Sequence, residues 1–242
     1  HGYGLPTRTI EVVEAGHPVP DEASIAAADR ALRLASSAGP GDHVIVLLSG
    51  GASAIWSAPV EGVTLADKQA ATRALLRSGE RIHELNLVRK HLSRIKGGRL
   101  ARAAARAGSL LTLAISDVPG DDPAVIGSGP TVGDPTTLAE ACRIMDRLGK
   151  AIPASVMAAL ADPANESPGP DDPAIARAAY RLIAAPRLSL EAAAAAVARL
   201  GYRPVLLGDA LEGEARELGA KHARLALDAR RQGERIALLS GG

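Results

Sequence analysis

A five-residue run, Leu-Leu-Ser-Gly-Gly, occurs twice in this chain, at residues 47–51 and again at 238–242. The first copy follows Val44-Ile45-Val46 and the second follows Arg235-Ile236-Ala237. In each, apolar residues suited to a buried strand break at the carboxyl end into a glycine pair. Such a pair lets backbone N–H groups turn outward, where they can hold an anion. Two such turns far apart in sequence predict two α/β units facing a shared cleft. The second copy has no helix after it, so the expectation is part of a longer protein.

The spacing of the remaining elements supports that fold class. Asp21 is placed to cap a helix through Ser24 to Ser36, which Gly39-Pro40-Gly41 ends. A short strand is expected over Thr9–Val13, and firmer ones over Val44–Leu48 and Leu110–Ile115. Helices are expected over about 65–78, 79–96, 99–107 and 137–148. The proline-rich stretch from Pro163 to Pro173 marks a linker. Beyond it, strands near 180–184, 204–207 and 235–239 alternate with helices over 188–200 and 212–232. Alternating β and α elements predict parallel sheets with helices on both faces. The fold class is therefore α/β. A Rossmann-like parallel-sheet domain is expected over residues 1–165, and the start of a second α/β domain over 174–242.

Bulk properties narrow the function. With 47% hydrophobic residues, 242 residues can bury a core. A net charge of +1 and an aromatic content of 2% give no surface for nucleic acid, by charge or by base stacking. No run of eighteen apolar residues suggests a membrane span. Cys142 is the only cysteine, which fits a reducing, cytoplasmic setting; its helical context makes it packing filler.

Three polar clusters sit where a strand ends or a helix begins, the places at which open parallel sheets bind ligands. The first is Ser49-Gly50-Gly51-Ala52-Ser53, which is either an anion cradle or a plain strand-to-helix turn. In the second, Asn86, Arg89, Lys90 and Ser93 recur at i, i+3, i+4 and i+7 on one helical face. That face leads to Lys96-Gly97-Gly98 at a helix start. It carries an amide, cations and a hydroxyl without the acids of an ordinary solvated face, and so suits a carboxylate or phosphate. His91 lies off this stripe and is expected to pack. The third cluster opens with Ser116-Asp117. Asp117 emerges from a strand into a Pro119-Gly120 loop, where a carboxylate can accept a proton from a hydroxyl or hold a divalent cation. Asp121 and Asp122 suit turn and cap roles.

Other chemistries lack their motifs. The chain has no G-x-x-x-x-G-K-[ST], no strand followed by G-x-G-x-x-G, no H-E-x-x-H, no paired C-x-x-C and no G-x-S-x-G. Ordinary P-loop, nicotinamide, zinc and serine-hydrolase chemistry are each left without a site.

The order and spacing of several segments resemble the class II glycerate kinases with the MOFRL carboxyl-terminal domain. The matching segments are Gly16–Glu22, Leu48–Ala54, Asn86–Ala101 (NLVRKHLSRIKGGRLA), Ser116–Asp122 (SDVPGDD), Ser128–Thr131 and Asp134–Thr137. The match spans residues 1–150 and is looser beyond. There, Gly213–Glu217 and Leu239-Ser240-Gly241-Gly242 fit the start of the MOFRL domain.

The resemblance implies transfer of a phosphoryl group from ATP to the 2-hydroxyl of D-glycerate, with Mg²⁺. It places Asp117 at the reacting hydroxyl. It also implies that Ser49, Gly50, Gly51, Ser53, Asn86, Arg89, Lys90, Ser93, Lys96, Gly97, Gly98, Ser240 and Gly241 bind substrate or nucleotide. No metal ligands are singled out, and a homodimer is one option for assembly. The family's Gly-Lys-Ala and Gly-Gly-Arg-Asn-Gln-Glu segments would lie beyond the two ends, which implies a chain inactive by itself. The rival readings are a hydroxypyruvate reductase and a non-catalytic small-anion-binding domain.

Overall fold

Helix starts follow from local chemistry. In the computed structural model, which describes residues 2–80 and 82–241, Asp21 caps α1 (Glu22–Ser37). Its carboxylate accepts from the Ser24 N–H while the Ser24 hydroxyl accepts from the Asp21 N–H. Thr64 with Asp67 caps α3 (Leu65–Arg77) in the same reciprocal way, and Thr137 with Glu140 caps α6 (Leu138–Leu148). Each arrangement satisfies backbone donors that a helix start otherwise leaves unpaired. The chain forms two compact units, residues 1–114 with 123–181 and residues 115–122 with 182–242.

In the first unit β1 (His43–Leu48) and β2 (Ser109–Ile115) pair in parallel, with Val44 opposite Leu110 and Leu48 opposite Ala114. β3 (Ala178–Ala184) follows in the order β1-β2-β3, and the division between the units falls within it. One apolar cluster packs α1 and α5 (Arg99–Ala103) against Val46 and Leu110 of this sheet. A second is mostly helical. It joins α3, α4 (Ile82–His91), α6 and α7 (Ala154–Ala161) through Leu75, Val88, Ile144, Met145 and Val156, with Val60 and Val63 from the loop before α3 and Leu92 just past α4.

Several expectations need correction. Residues 9–13 form no strand, and Ile10 is exposed, because no neighbouring strand supplies a ladder. The expected helix over 79–96 ends at His91. Beyond it, Ser93 bridges antiparallel to Pro59, the Arg94 N–H donates to the Ala58 carbonyl, and the Ser93 hydroxyl accepts from the Ile95 and Lys96 N–H groups. These bonds offer the backbone an alternative to helix. Of the apolar stripe on this helix, the Ile82 side chain lies outside the described residues. The helix expected over 99–107 stops at Ala103.

Against the expectation of helices on both faces, β1 is covered on one face only among the described residues. Val46 and Leu48 are buried while Ile45 and Leu47 are 62% and 74% exposed. The stretch 163–173 is no free linker, since it closes onto the first unit. Arg99 donates to the Asn165 carbonyl at 2.5 Å and to the Ser167 hydroxyl at 3.1 Å, and the Asp134 N–H donates to the Pro168 carbonyl at 2.8 Å. The helix α7 had no counterpart among the expected elements.

In the second unit β4 (Arg203–Gly208) pairs in parallel with β5 (Ile236–Ser240), flanked by α9 (Pro186–Arg199) and α10 (Ala215–Arg231). The segment 115–122 belongs to this unit, tied by the Ser116 N–H to the Ala184 carbonyl at 2.9 Å. The remaining short helices are α2 (Ala52–Ile55) and α8 (Pro173–Ala176). Among the described residues, no helix is long and apolar enough to cross a membrane.

Candidate active site

The first unit holds a cavity of about 420 Å³ between residues 18–20, α2, α3 and α4. Its apolar wall is Pro18, Val19, Pro20, Leu65, Leu76 and Leu85. Its polar lining is Ser53, Ser57, Lys68, Gln69, Thr72, Arg73, Arg89 and Lys96. Four of these are cations and none is an acid, so the cavity is matched to an anion.

Lys96 is 1% exposed and donates to both the carbonyl and the hydroxyl of Ser53, at 2.5 and 2.6 Å. The Ser53 hydroxyl also exchanges a hydrogen bond with that of Ser128 at 2.8 Å. Burial pushes the Lys96 ammonium well below the usual lysine range, and Arg89 and Lys68 add repulsion. Lys68, on α3, is buried and donates to the Leu92 carbonyl at 2.9 Å. Desolvation, with repulsion from Arg89, Arg99 and Arg94, brings it down to about 7. Burial likewise lowers Arg89, which has no hydrogen-bond partner among the described residues. The Gln69 amide holds the Pro20 carbonyl at 2.9 Å and so fixes the 18–20 wall against α3.

Of the residues expected from sequence, Ser53, Arg89 and Lys96 come together here. Ser49 and Gly50 instead line a smaller hollow of about 130 Å³ at the end of β1, with Leu47, Leu48, Ala52, Ile55 and Trp56. Gly51 caps α2 at φ +81°, and a Cβ on it would lie 3.3 Å from the His17 ring, so both conformation and space favour glycine. Among the described residues, the N–H groups of Gly51, Ala52 and Ser53 have no acceptor. Open N–H groups at this turn are what either expected reading, an anion cradle or a plain strand-to-helix turn, would leave.

The basic face does not act as a unit. Lys90 turns to Asp134, 2.5 Å away, with 6% and 0% of the two side chains exposed. Asn86 does not line the cavity, and Ser93 lies beyond α4 in the turn described above. Gly97 and Gly98 are not a cradle. Their N–H groups donate to the Ser128 and Gly129 carbonyls at 3.0 and 2.7 Å, which docks this turn on the 128–130 loop. In the second unit Asp117 and Ser240 are exposed. The Gly241 N–H donates to the Gly208 carbonyl at 2.9 Å, closing the sheet end rather than turning outward. Gly242 lies outside the described residues. His91 packs as expected, 0% exposed between the Leu87 carbonyl and Glu166.

Sequence reasoning missed Lys68, Ser57, Gln69 and Arg73. One signal was available: Lys68 stands at an apolar position of α3, three and seven residues before the buried Ala71 and Leu75. The donor set does not fit Mg²⁺, because the cavity wall holds no carboxylate. Among the described residues, no group of three or more His, Cys, Asp or Glu is placed to hold a metal.

Fold and cavity together define an α/β protein with an acid-free, cation-lined site in its first unit. The family described as "Domain of unknown function (DUF4147)" matches residues 1–161. An Agrobacterium vitis protein named as a hydroxypyruvate reductase is 52% identical over the whole chain, which covers 55% of that relative. A Pyrococcus horikoshii protein named glycerate 2-kinase is 42% identical over 90% of this chain and 50% of its own. The crystal structure of a Thermotoga maritima glycerate kinase superposes with a TM-score of 0.88 at 34% identity, over 99% of this chain and 57% of that one. The chain belongs to the DUF4147 family, that of these glycerate kinases. It spans about half the length of the curated relatives it matches.

Proposed function

We propose that the protein containing this chain transfers the γ-phosphoryl group of ATP to the 2-hydroxyl of D-glycerate, giving 2-phosphoglycerate and ADP. The observation that carries this reading is the acid-free cavity with Lys68, Arg73, Arg89 and Lys96, in a chain of the glycerate kinase family. Phosphoryl transfer depends on holding several negative oxygens with fixed cations while the acceptor is positioned. Arg89 and Lys96 serve that role here, and the open N–H groups of the Gly51 turn add donors next to Ser53. A base takes the proton of the 2-hydroxyl, and Asp117, exposed in the second unit, is the carboxylate that the family resemblance offers for it. The freed oxygen attacks the γ-phosphorus as its bond to the bridging oxygen of ADP breaks.

A second reading follows from the reductase name carried by the Agrobacterium relative. The absence of G-x-G-x-x-G after a strand weighs against it. The test supplies the full-length protein with D-glycerate and ATP, and separately with hydroxypyruvate and NADH. ADP release with a new phosphomonoester on carbon 2 supports the kinase. NADH oxidation without ADP release overturns it, and nucleotide or acid binding with neither turnover favours a binding module.

A further inference from the structure

The cavity contains more buried polar capacity than the residues around it use. Ser57 lines it, is 1% exposed, and has a hydroxyl with no hydrogen-bond partner among the described residues. A buried hydroxyl without a partner is costly, and in native proteins one usually marks a bound water or ligand. Lys68 lines the same cavity and donates once, to the Leu92 carbonyl, while an ammonium carries three donors. The charges that act on Lys68 are cations, Arg89 on α4 with Arg99 and Arg94 beyond it, and no acid lines the cavity. A buried cation among cations lacks its counter-ion.

We propose that Lys68 and Ser57 bind the carboxylate of the small hydroxy acid that is this protein's substrate. This deepens the functional reading above and rests on its choice of a three-carbon acid as ligand. Lys68 supplies the charge and Ser57 the second hydrogen bond, leaving Lys96 and Arg89 for the oxygens of the transferred group. The apolar wall of Pro18, Val19 and Leu85 favours an acid over inorganic phosphate. A phosphate is polar on every side and would strand that wall, whereas a hydroxy acid presents a carboxylate at one end and carbon behind it.

The test is calorimetric binding to the full-length protein, with Lys68→Met and Ser57→Ala. The ligands are D-glycerate, hydroxypyruvate, the neutral amide D-glyceramide, inorganic phosphate and ATP. Wild-type protein is expected to prefer D-glycerate over D-glyceramide by about 100-fold, because only the carboxylate pairs with the buried ammonium. Lys68→Met is expected to cut that preference below about 5-fold, and Ser57→Ala to weaken both acids about 10-fold, with ATP unaffected.

General damage to the fold would weaken binding without erasing the acid-over-amide preference. An unchanged preference in Lys68→Met, or Ser57→Ala binding both acids within about 2-fold of wild type, overturns the proposal. So does wild-type protein that binds neither acid, or variants that lose phosphate and keep the acids. Acid binding that depends on Lys68 in a protein releasing no ADP sinks the kinase reading and leaves this one standing. ADP release with acid binding indifferent to Lys68 and Ser57 does the reverse.

Discussion

Lys90 and Asp134 form a buried ion pair at 2.5 Å, and neither lines the cavity that Arg89, the preceding residue, lines. The pair locks α4 to the loop before α6. The Asp134 carboxylate also accepts from the Thr136 N–H and hydroxyl at 3.0 and 2.7 Å. Removing one partner from such a pair leaves the other charge buried and unmatched.

Asp134→Asn is therefore expected to destabilise the protein by about 3–5 kcal/mol, a Tm about 10 °C lower. Burial raises the Asp134 carboxyl, but the bonds from Lys90 and Thr136 outweigh it and hold the group below the usual aspartate value of 3.8. A depressed carboxyl stabilises the fold above its unfolded value and loses that effect as pH falls through the folded one. Thermal melts from pH 7 to pH 2.5 should show the gap between wild type and variant narrowing below about pH 4. A gap that stays constant would remove Asp134 from the acid transition.

Lys68 carries a cost to the fold in exchange for its place in the cavity. Its folded value of about 7 lies below the ordinary 10.5. The unfolded chain therefore binds more protons between these values, and stability rises with pH across that window. Without ligand, Lys68→Met is expected to raise the Tm by about 2–5 °C near pH 6. That advantage should shrink between about pH 7 and pH 10. A variant less stable than wild type at pH 6 would contradict this account.

Gly98 starts α5 at φ +79°, and a Cβ there would sit 2.9 Å from the Ile175 Cδ1 and 3.1 Å from the Val132 carbonyl oxygen. The left-handed conformation alone costs an L-residue about 1–2 kcal/mol. Ile175 can give way, but a backbone carbonyl moves less readily. Gly98→Ala is expected to lower stability by about 3 kcal/mol, read as a reduced urea midpoint at unchanged slope. Wild-type behaviour would show that the turn adapts freely.

Asp117 is exposed at the end of β2, so Asp117→Asn should leave the melting temperature unchanged. If Asp117 is the base, turnover in a coupled ADP-release assay on the full-length protein should fall about 100-fold or more. Near-normal turnover would exclude it.

Much of the fold is written in local pattern. The capping residues Asp21, Thr64 and Thr137, the apolar strands 43–48 and 109–115, and the alternation of elements after residue 178 act over a few neighbours. They are legible wherever those neighbours are known. The candidate site was legible only in part. Arg89 stands out because its helical face lacks the acids of a solvated one, and Lys96 because it opens a glycine pair at a helix start. Yet the stripe of Asn86, Arg89, Lys90 and Ser93 does not serve one site. Helical spacing predicts a shared face only while the helix continues, and α4 ends before Ser93 because Pro59 and Ala58 offer its backbone other partners.

The sequence by itself determined the α/β class, most element positions and the glycine turn after β1, because each depends on backbone propensity and contacts a few residues long. Tertiary structure alone decided which cations face the cavity, since a lysine's role depends on its partner. Lys90 meets Asp134, forty-four positions away, and is neutralised. Lys68 meets only a carbonyl and its charge stays uncompensated, a difference that arises from packing at long separation in the chain.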